Sequence, residues 1–135
     1  MLLDLQPLEK ATASLLRAIN RAEADRSDEE LRDAVIQRFE YTYELSWRML
    51  KRQLQQEAPT PAAVDQMSFQ ELIREGAERG YVADPEAWLE YRRQRNITSH
   101  TYNAALAESV YQTALAFHED AKALLQALED RNARS

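Results

Sequence analysis

Between Leu31 and Leu54 the chain carries two apolar stripes along one helical stretch, and this limits its folds more than any other feature. Leu31, Val35, Thr42, Leu45 and Met49 recur on one face, and Ile36, Phe39, Tyr43, Leu50 and Leu54 on a second. At helical periodicity the two are offset by about a third of a turn and together cover more than half the circumference. Such a helix must be covered by two or more neighbours, so it belongs at the centre of a helical assembly. Two glycines and four prolines, with 44% hydrophobic and 30% charged residues, favour long helices over a turn-rich β fold. A length of 135 residues suits one domain, residues 1–135, with a real core.

The flanking segments fit the same plan. Leu5, Leu8, Thr12, Leu15, Ile19 and Ala22 recur at three- and four-residue steps, with Asp4 as a cap and Pro7 in the first turn. Ser27-Asp-Glu-Glu30 reads as a capping box opening the central helix. Ala58-Pro-Thr-Pro61 stops it, and residues 58 to 67 read as a linker. Ser68-Phe-Gln-Glu71 is a second capping box, for a short helix that Gly80 ends and Gly76 weakens. Asp84 and Pro85 open a fourth helix carrying Trp88, Tyr91 and the segment that follows them. The last helix, from about Asn103, spaces Val110, Ala114, Phe117, Ala121, Leu124 and Leu128 as a packing stripe. The expected architecture is all-α: a four-helix up-down bundle with one additional short helix.

With no cysteine in the chain, disulfides and thiolate metal sites are ruled out, and two isolated histidines give no reason to expect a metal or other cofactor. A net charge of -6 argues against coating nucleic acid by bulk electrostatics. The N-terminus lacks the basic region and apolar run of a signal peptide, and no stretch approaches the roughly 20 apolar residues of a membrane span. A cytoplasmic protein with no membrane contact is expected.

Chemistry concentrates in Arg95-Asn-Ile-Thr-Ser-His100-Thr-Tyr102. Arginine offers a permanent cation with a planar donor fork suited to phosphate, and histidine moves protons near neutral pH. In a continuous helix Arg95 and Tyr102 would share a face about 10 Å apart, while His100 would point roughly 140° away from Arg95. Arg95 and His100 can serve one small substrate only in two ways. The helix ends near Ser99 and extended chain turns His100 and Tyr102 to one side, or a two-fold dimer brings two copies of the motif together. Both are expected, and Thr98, Ser99 and Asn103 suit such a junction. Arginine plus histidine without metal suits cleavage of RNA, in which the 2′-hydroxyl attacks its own phosphate, histidine carries the proton and arginine stabilises the developing charge. On residues alone a lone histidine beside a helix end is more often a buried or capping group, and an arginine here is usually a solvated or salt-bridged surface residue.

Arg95-x4-His100-x-Tyr102 resembles the signature of HEPN ribonuclease toxins paired with minimal nucleotidyltransferases. Phe39-Glu-Tyr-Thr-Tyr-Glu-Leu-Ser-Trp47, followed by Trp88 ahead of the motif, is similar to the family long labelled nucleotidyltransferase substrate-binding proteins. The likeness runs from about Leu8 to Leu128. It implies a homodimeric helical bundle, with Arg95 and His100 as the ribonuclease pair and Asn96 as the polar residue that follows the arginine. It further implies that a partner nucleotidyltransferase, acting as antitoxin, silences the toxin by transferring AMP to Tyr102. Attached AMP would set a bulky anion beside Arg95 and block substrate phosphate. A competing expectation is a binding subunit without catalysis that presents substrate to the nucleotidyltransferase.

Other residues admit two readings each. Glu40, Glu44 and Arg48 lie on one face of the central helix, either as a polar site facing the motif or as an ordinary Glu44–Arg48 ion pair, which is favoured. Trp47 and Trp88 could stack unpaired bases but read first as core or interface anchors. His118 reads as structural, and Arg92 and Arg93 as candidate phosphate contacts beside a solvated face.

Overall fold

The computed structural model describes residues 2–134, which form six α-helices and one 3-10 turn, with no strand among them. The helices are α1 (Gln6–Ala24), α2 (Glu29–Glu57), α3 (Pro61–Asp65), α4 (Phe69–Glu78), α5 (Pro85–Ile97) and α6 (Ala104–Ala133). The 3-10 turn Thr98–His100 lies between α5 and α6. As its two stripes require, α2 is central: it packs against α1, α3, α4, α5 and α6. Val35, Thr42 and Met49 are buried on one side and Ile36, Phe39, Tyr43, Leu50 and Leu54 on the other, while Leu31 and Leu45 are half-buried.

Local chemistry sets most helix ends. Ser68 and Glu71 form a reciprocal capping box, with the Glu71 amide donating to Ser68 Oγ at 3.1 Å and the Ser68 amide to Glu71 Oε1 at 3.0 Å. Gly80, at φ 89°, closes α4: the Tyr81 amide reaches back to the Gly76 carbonyl at 2.8 Å and the Gly80 amide to that of Ala77 at 3.1 Å. A side chain at Gly76 would bring its Cβ within 3.0 Å of Leu50 Cδ2, so the glycine lets α4 lie close on α2. Asp84 caps α5, whose first residue is Pro85.

Two features differ from the sequence pattern. Asp28, not Ser27, caps α2, accepting from the Glu30 and Leu31 amides, while the Ser27 hydroxyl turns to Asp25. Residues 61–65, expected within a linker, make the one-turn helix α3, because a proline at the first helical position starts a helix as readily as it stops one. Two short helices, α3 and α4, therefore accompany the longer ones instead of one.

Aromatic packing fixes α5. Phe117 of α6 meets Phe39 at 5.2 Å, Tyr91 at 5.1 Å and Trp88 at 5.7 Å between ring centroids, all near edge-to-face. The Tyr91 hydroxyl also donates to Asp120 of α6. The chain that follows α5 is thus hung from a rigid anchor. His118 is buried beside this cluster, and burial lowers its pKa. No helix among the described residues is long and apolar enough to cross a membrane.

Candidate functional site

α5 ends at Ile97 because Thr98 redirects its own side chain. The Thr98 hydroxyl lies 2.7 Å from the Arg95 carbonyl and donates to the Glu40 carboxylate of α2. The chain then tightens into the 3-10 turn instead of becoming extended, and Thr101 Oγ1 donates to the Thr98 carbonyl at 3.2 Å. Asn103 ends the turn by capping α6, accepting from the Ala105 and Leu106 amides at 2.9 and 3.2 Å. The break near Ser99 is therefore present, but its conformation is a turn.

This junction parts the motif into two groups. His100 and Tyr102 stand together in solvent, their rings 6.3 Å apart and near perpendicular, with Tyr102 88% exposed. Arg95 goes to the other group, its Nε donating to Glu44 Oε1 of α2 at 3.0 Å. Arg95 lines a depression of about 300 Å³ between α2, α4 and α5, and His100 is not among its lining residues. Among the described residues no hydrogen bond, ion pair or ring contact joins Arg95 to His100. Asn96 is exposed at the rim of the depression. Arg92 also lines it, stacked 4.7 Å above the Phe69 ring, whereas Arg93 pairs with Glu90 at 3.0 Å on the solvent side.

Glu44 organises the depression. Beyond Arg95 it accepts from Trp47 Nε1 at 3.2 Å and lies 3.6 Å from Arg48 Nη2. The Glu44–Arg48 pair expected from spacing exists, but it is the longer and more exposed of the two ion pairs. Glu40 and Glu44, one turn apart, both face the motif segment. Tyr43 lies beneath, and its hydroxyl is pushed up chiefly by burial, with the nearby Arg92 and Arg95 charges working against that rise.

The two tryptophans part company. Trp88 is 1% exposed and belongs to the core, while Trp47 is half-buried on the wall of the depression, edge-to-face with Phe69 at 6.1 Å. Lys51 and Phe69 are lining residues that sequence reading missed. Lys51 sits two turns beyond Glu44 on α2, a spacing that could have found it, whereas Phe69 is placed by the tertiary approach of α4. The lining holds three cations, Lys51, Arg92 and Arg95, against one carboxylate, so the depression is locally positive in an acidic chain.

Comparison with known proteins agrees with this architecture. A family model described as nucleotidyltransferase substrate binding protein like matches residues 3–130. A probable ribonuclease HepT of Haemophilus influenzae is 42% identical over 97 residues, which are 72% of this chain and 66% of that protein, just under two thirds of its length. A solved Haemophilus influenzae structure superposes with a TM-score of 0.88 at 35% identity, covering 93% of this chain and 99% of that one. It is described as the fold of a substrate binding domain of a nucleotidyltransferase. A Thermus thermophilus crystal structure gives a TM-score of 0.74 at 30% identity, covering 90% of this chain and 98% of that one. The chain belongs to the nucleotidyltransferase substrate binding protein like family.

Proposed function

We propose that this protein is a metal-independent endoribonuclease, the toxin of a two-component pair whose antitoxin is a minimal nucleotidyltransferase. The reading rests on one observation above all: an arginine held by a carboxylate at a positive depression, with an exposed histidine and tyrosine on the turn that follows. The 42% identical probable ribonuclease HepT supports it. We read α1, α2, α5 and α6 as an up-down bundle forming one domain, and the working unit as a cytoplasmic homodimer. In this reading Arg95 of one subunit meets His100 of the other, and the depression that takes in Arg95 but not His100 within one chain supports it.

In this scheme RNA lies across the two-fold contact. His100 takes the proton of a ribose 2′-hydroxyl, whose oxygen attacks the adjacent phosphorus. Arg95 stabilises charge on the non-bridging oxygens. The bond from phosphorus to the 5′-oxygen breaks, and the imidazolium returns its proton to that leaving oxygen. No metal or cofactor takes part. Silencing follows when the Tyr102 hydroxyl attacks the α-phosphorus of ATP on the partner enzyme and releases pyrophosphate. The AMP so attached sets an anion next to His100, whose ring is 6.3 Å from that of Tyr102.

Subunit mixing tests the composite site. Arg95→Ala and His100→Ala proteins, each inactive, should regain cleavage when mixed and allowed to exchange subunits, because one site in each mixed dimer has both residues. Absence of any recovery, with exchange demonstrated, contradicts a site shared between subunits. Incubation with the nucleotidyltransferase and ATP should add one AMP by mass, and Tyr102→Phe should remove the addition.

One observation favours a second reading. The depression takes in Arg95 but not His100, as would suit a subunit that holds a nucleotide for its partner enzyme without cutting RNA. Firm association with the nucleotidyltransferase, with no cleavage at micromolar protein, would select it.

A further inference from the structure

We propose that the depression beside Arg95 is a nucleotide subsite, taking an unpaired base against Trp47, Met67 and Phe69 and its phosphate at Lys51 and Arg92. The inference rests on the reading that phosphate comes to Arg95, and it assigns the neighbouring surface a ligand of its own.

Three observations carry it. First, the depression has two chemically distinct sides. One is apolar and aromatic, with Met67, Phe69 and Trp47 half-buried over buried Val64 and Leu72; the other is cationic. A base needs a flat apolar surface and its phosphate needs fixed positive charge, and stacking of that kind is tolerant of base identity. A second groove, lined by Arg17, Arg21 and Arg38, has cations but no aromatic wall.

Second, two polar groups on the rim, Arg92 and the Asn96 side chain, are uncommitted, and Lys51 is held only by an exposed partner. Arg92 forms no ion pair with any described residue and rests only on the Phe69 ring, at 4.7 Å. Its guanidinium donors are therefore available to a phosphate. Lys51 shares only the exposed Asp65, at 3.4 Å. The side chain of Asn96, one turn beyond Arg92, hydrogen-bonds to no described residue and offers an amide to a base edge.

Third, size and placement fit. About 300 Å³ is at the small end of ligand sites, enough for one nucleotide unit and too little for a duplex. Arg95 forms part of the same wall, so a phosphate bound there is one linkage from a base in the depression. The nucleotide has two sources: a residue of an RNA strand flanking the cut, or free ATP.

Fluorescence titration tests this, because Trp47 lines the depression whereas Trp88 is 1% exposed and reports little. The intact protein is titrated with a 2′-O-methyl hexaribonucleotide, which cannot be cleaved, and separately with ATP. Saturable quenching is expected, lost in Trp47→Phe. Calorimetry should show binding weakened about ten-fold or more in Arg92→Ala and in Lys51→Ala. Tighter binding of the oligonucleotide assigns the subsite to the strand, and tighter binding of ATP assigns it to free nucleotide. Absence of quenching by either probe, or affinity unchanged in both charge variants, overturns the proposal. If quenching persists but RNA is never cut, the ribonuclease reading fails and the subsite stands. Cleavage without quenching removes the subsite and leaves the ribonuclease reading in place.

Discussion

Glu44 Oε1 accepts a hydrogen bond from Arg95 Nε at 3.0 Å, tying the motif helix to the central helix across 51 residues of sequence. The bond uses Nε and leaves the terminal guanidinium nitrogens without a hydrogen-bond partner among the described residues. Glu44 thus acts on Arg95 as a positioning group.

Glu44→Ala should therefore slow RNA cleavage by about 10- to 100-fold, since a small misplacement of a charge-stabilising group carries that penalty. Stability should change by only about 1 kcal/mol or less, because both partners are partly solvated. Cleavage at the unmodified rate would show that Arg95 needs no such anchor. Retention of more activity in Glu44→Gln than in Glu44→Ala would separate positioning from folding.

Gly80 offers a test of the backbone alone. It holds φ at 89°, and no heavy atom lies within 4 Å of where a Cβ would sit. Gly80→Ala should cost about 1–2 kcal/mol through left-handed strain, read from the urea midpoint, with the slope unchanged. An unchanged midpoint would mean that α4 ends without that conformation.

Glu57 governs acid stability. Burial raises its carboxyl pKa, but hydrogen bonds from Tyr81, Gln53 and Arg79 and the charge of Arg131 outweigh that, leaving it below the ordinary 4.5. Burial first and Glu57 second push the Tyr81 hydroxyl up to about 12, with the Arg131 charge and Gln53 working against that rise. A depressed carboxyl stabilises the fold above its unfolded pKa, and that stability is lost as pH falls through the folded value. Glu57→Gln should cost about 1–3 kcal/mol at neutral pH and flatten the loss of stability below pH 4.5. Equal acid slopes for the two proteins would contradict this.

How far the sequence reveals the molecule depends on the range of each interaction. The Ser68–Glu71 box, the Asp84–Pro85 start and the Gly80 stop rest on neighbours within a few residues, and the pattern shows them. Asp28 displaced Ser27 because two capping residue types stand side by side and spacing cannot rank them. Glu44 was legible both as a partner for Arg48, four residues on, and as a group facing the motif; its shorter bond to Arg95 is tertiary, and spacing alone could not rank it above the local pair. For the same reason Trp47 and Trp88 look alike in sequence, yet one faces the depression and the other the core.

The central claim is that His100 carries the proton in RNA cleavage. RNA incubated in chelator with wild type and with His100→Ala, both shown by circular dichroism to be folded, tests it directly. Cutting by the wild type is expected, with a loss of about 10²- to 10⁴-fold in the variant. Cleavage by folded His100→Ala at the wild-type rate would contradict it.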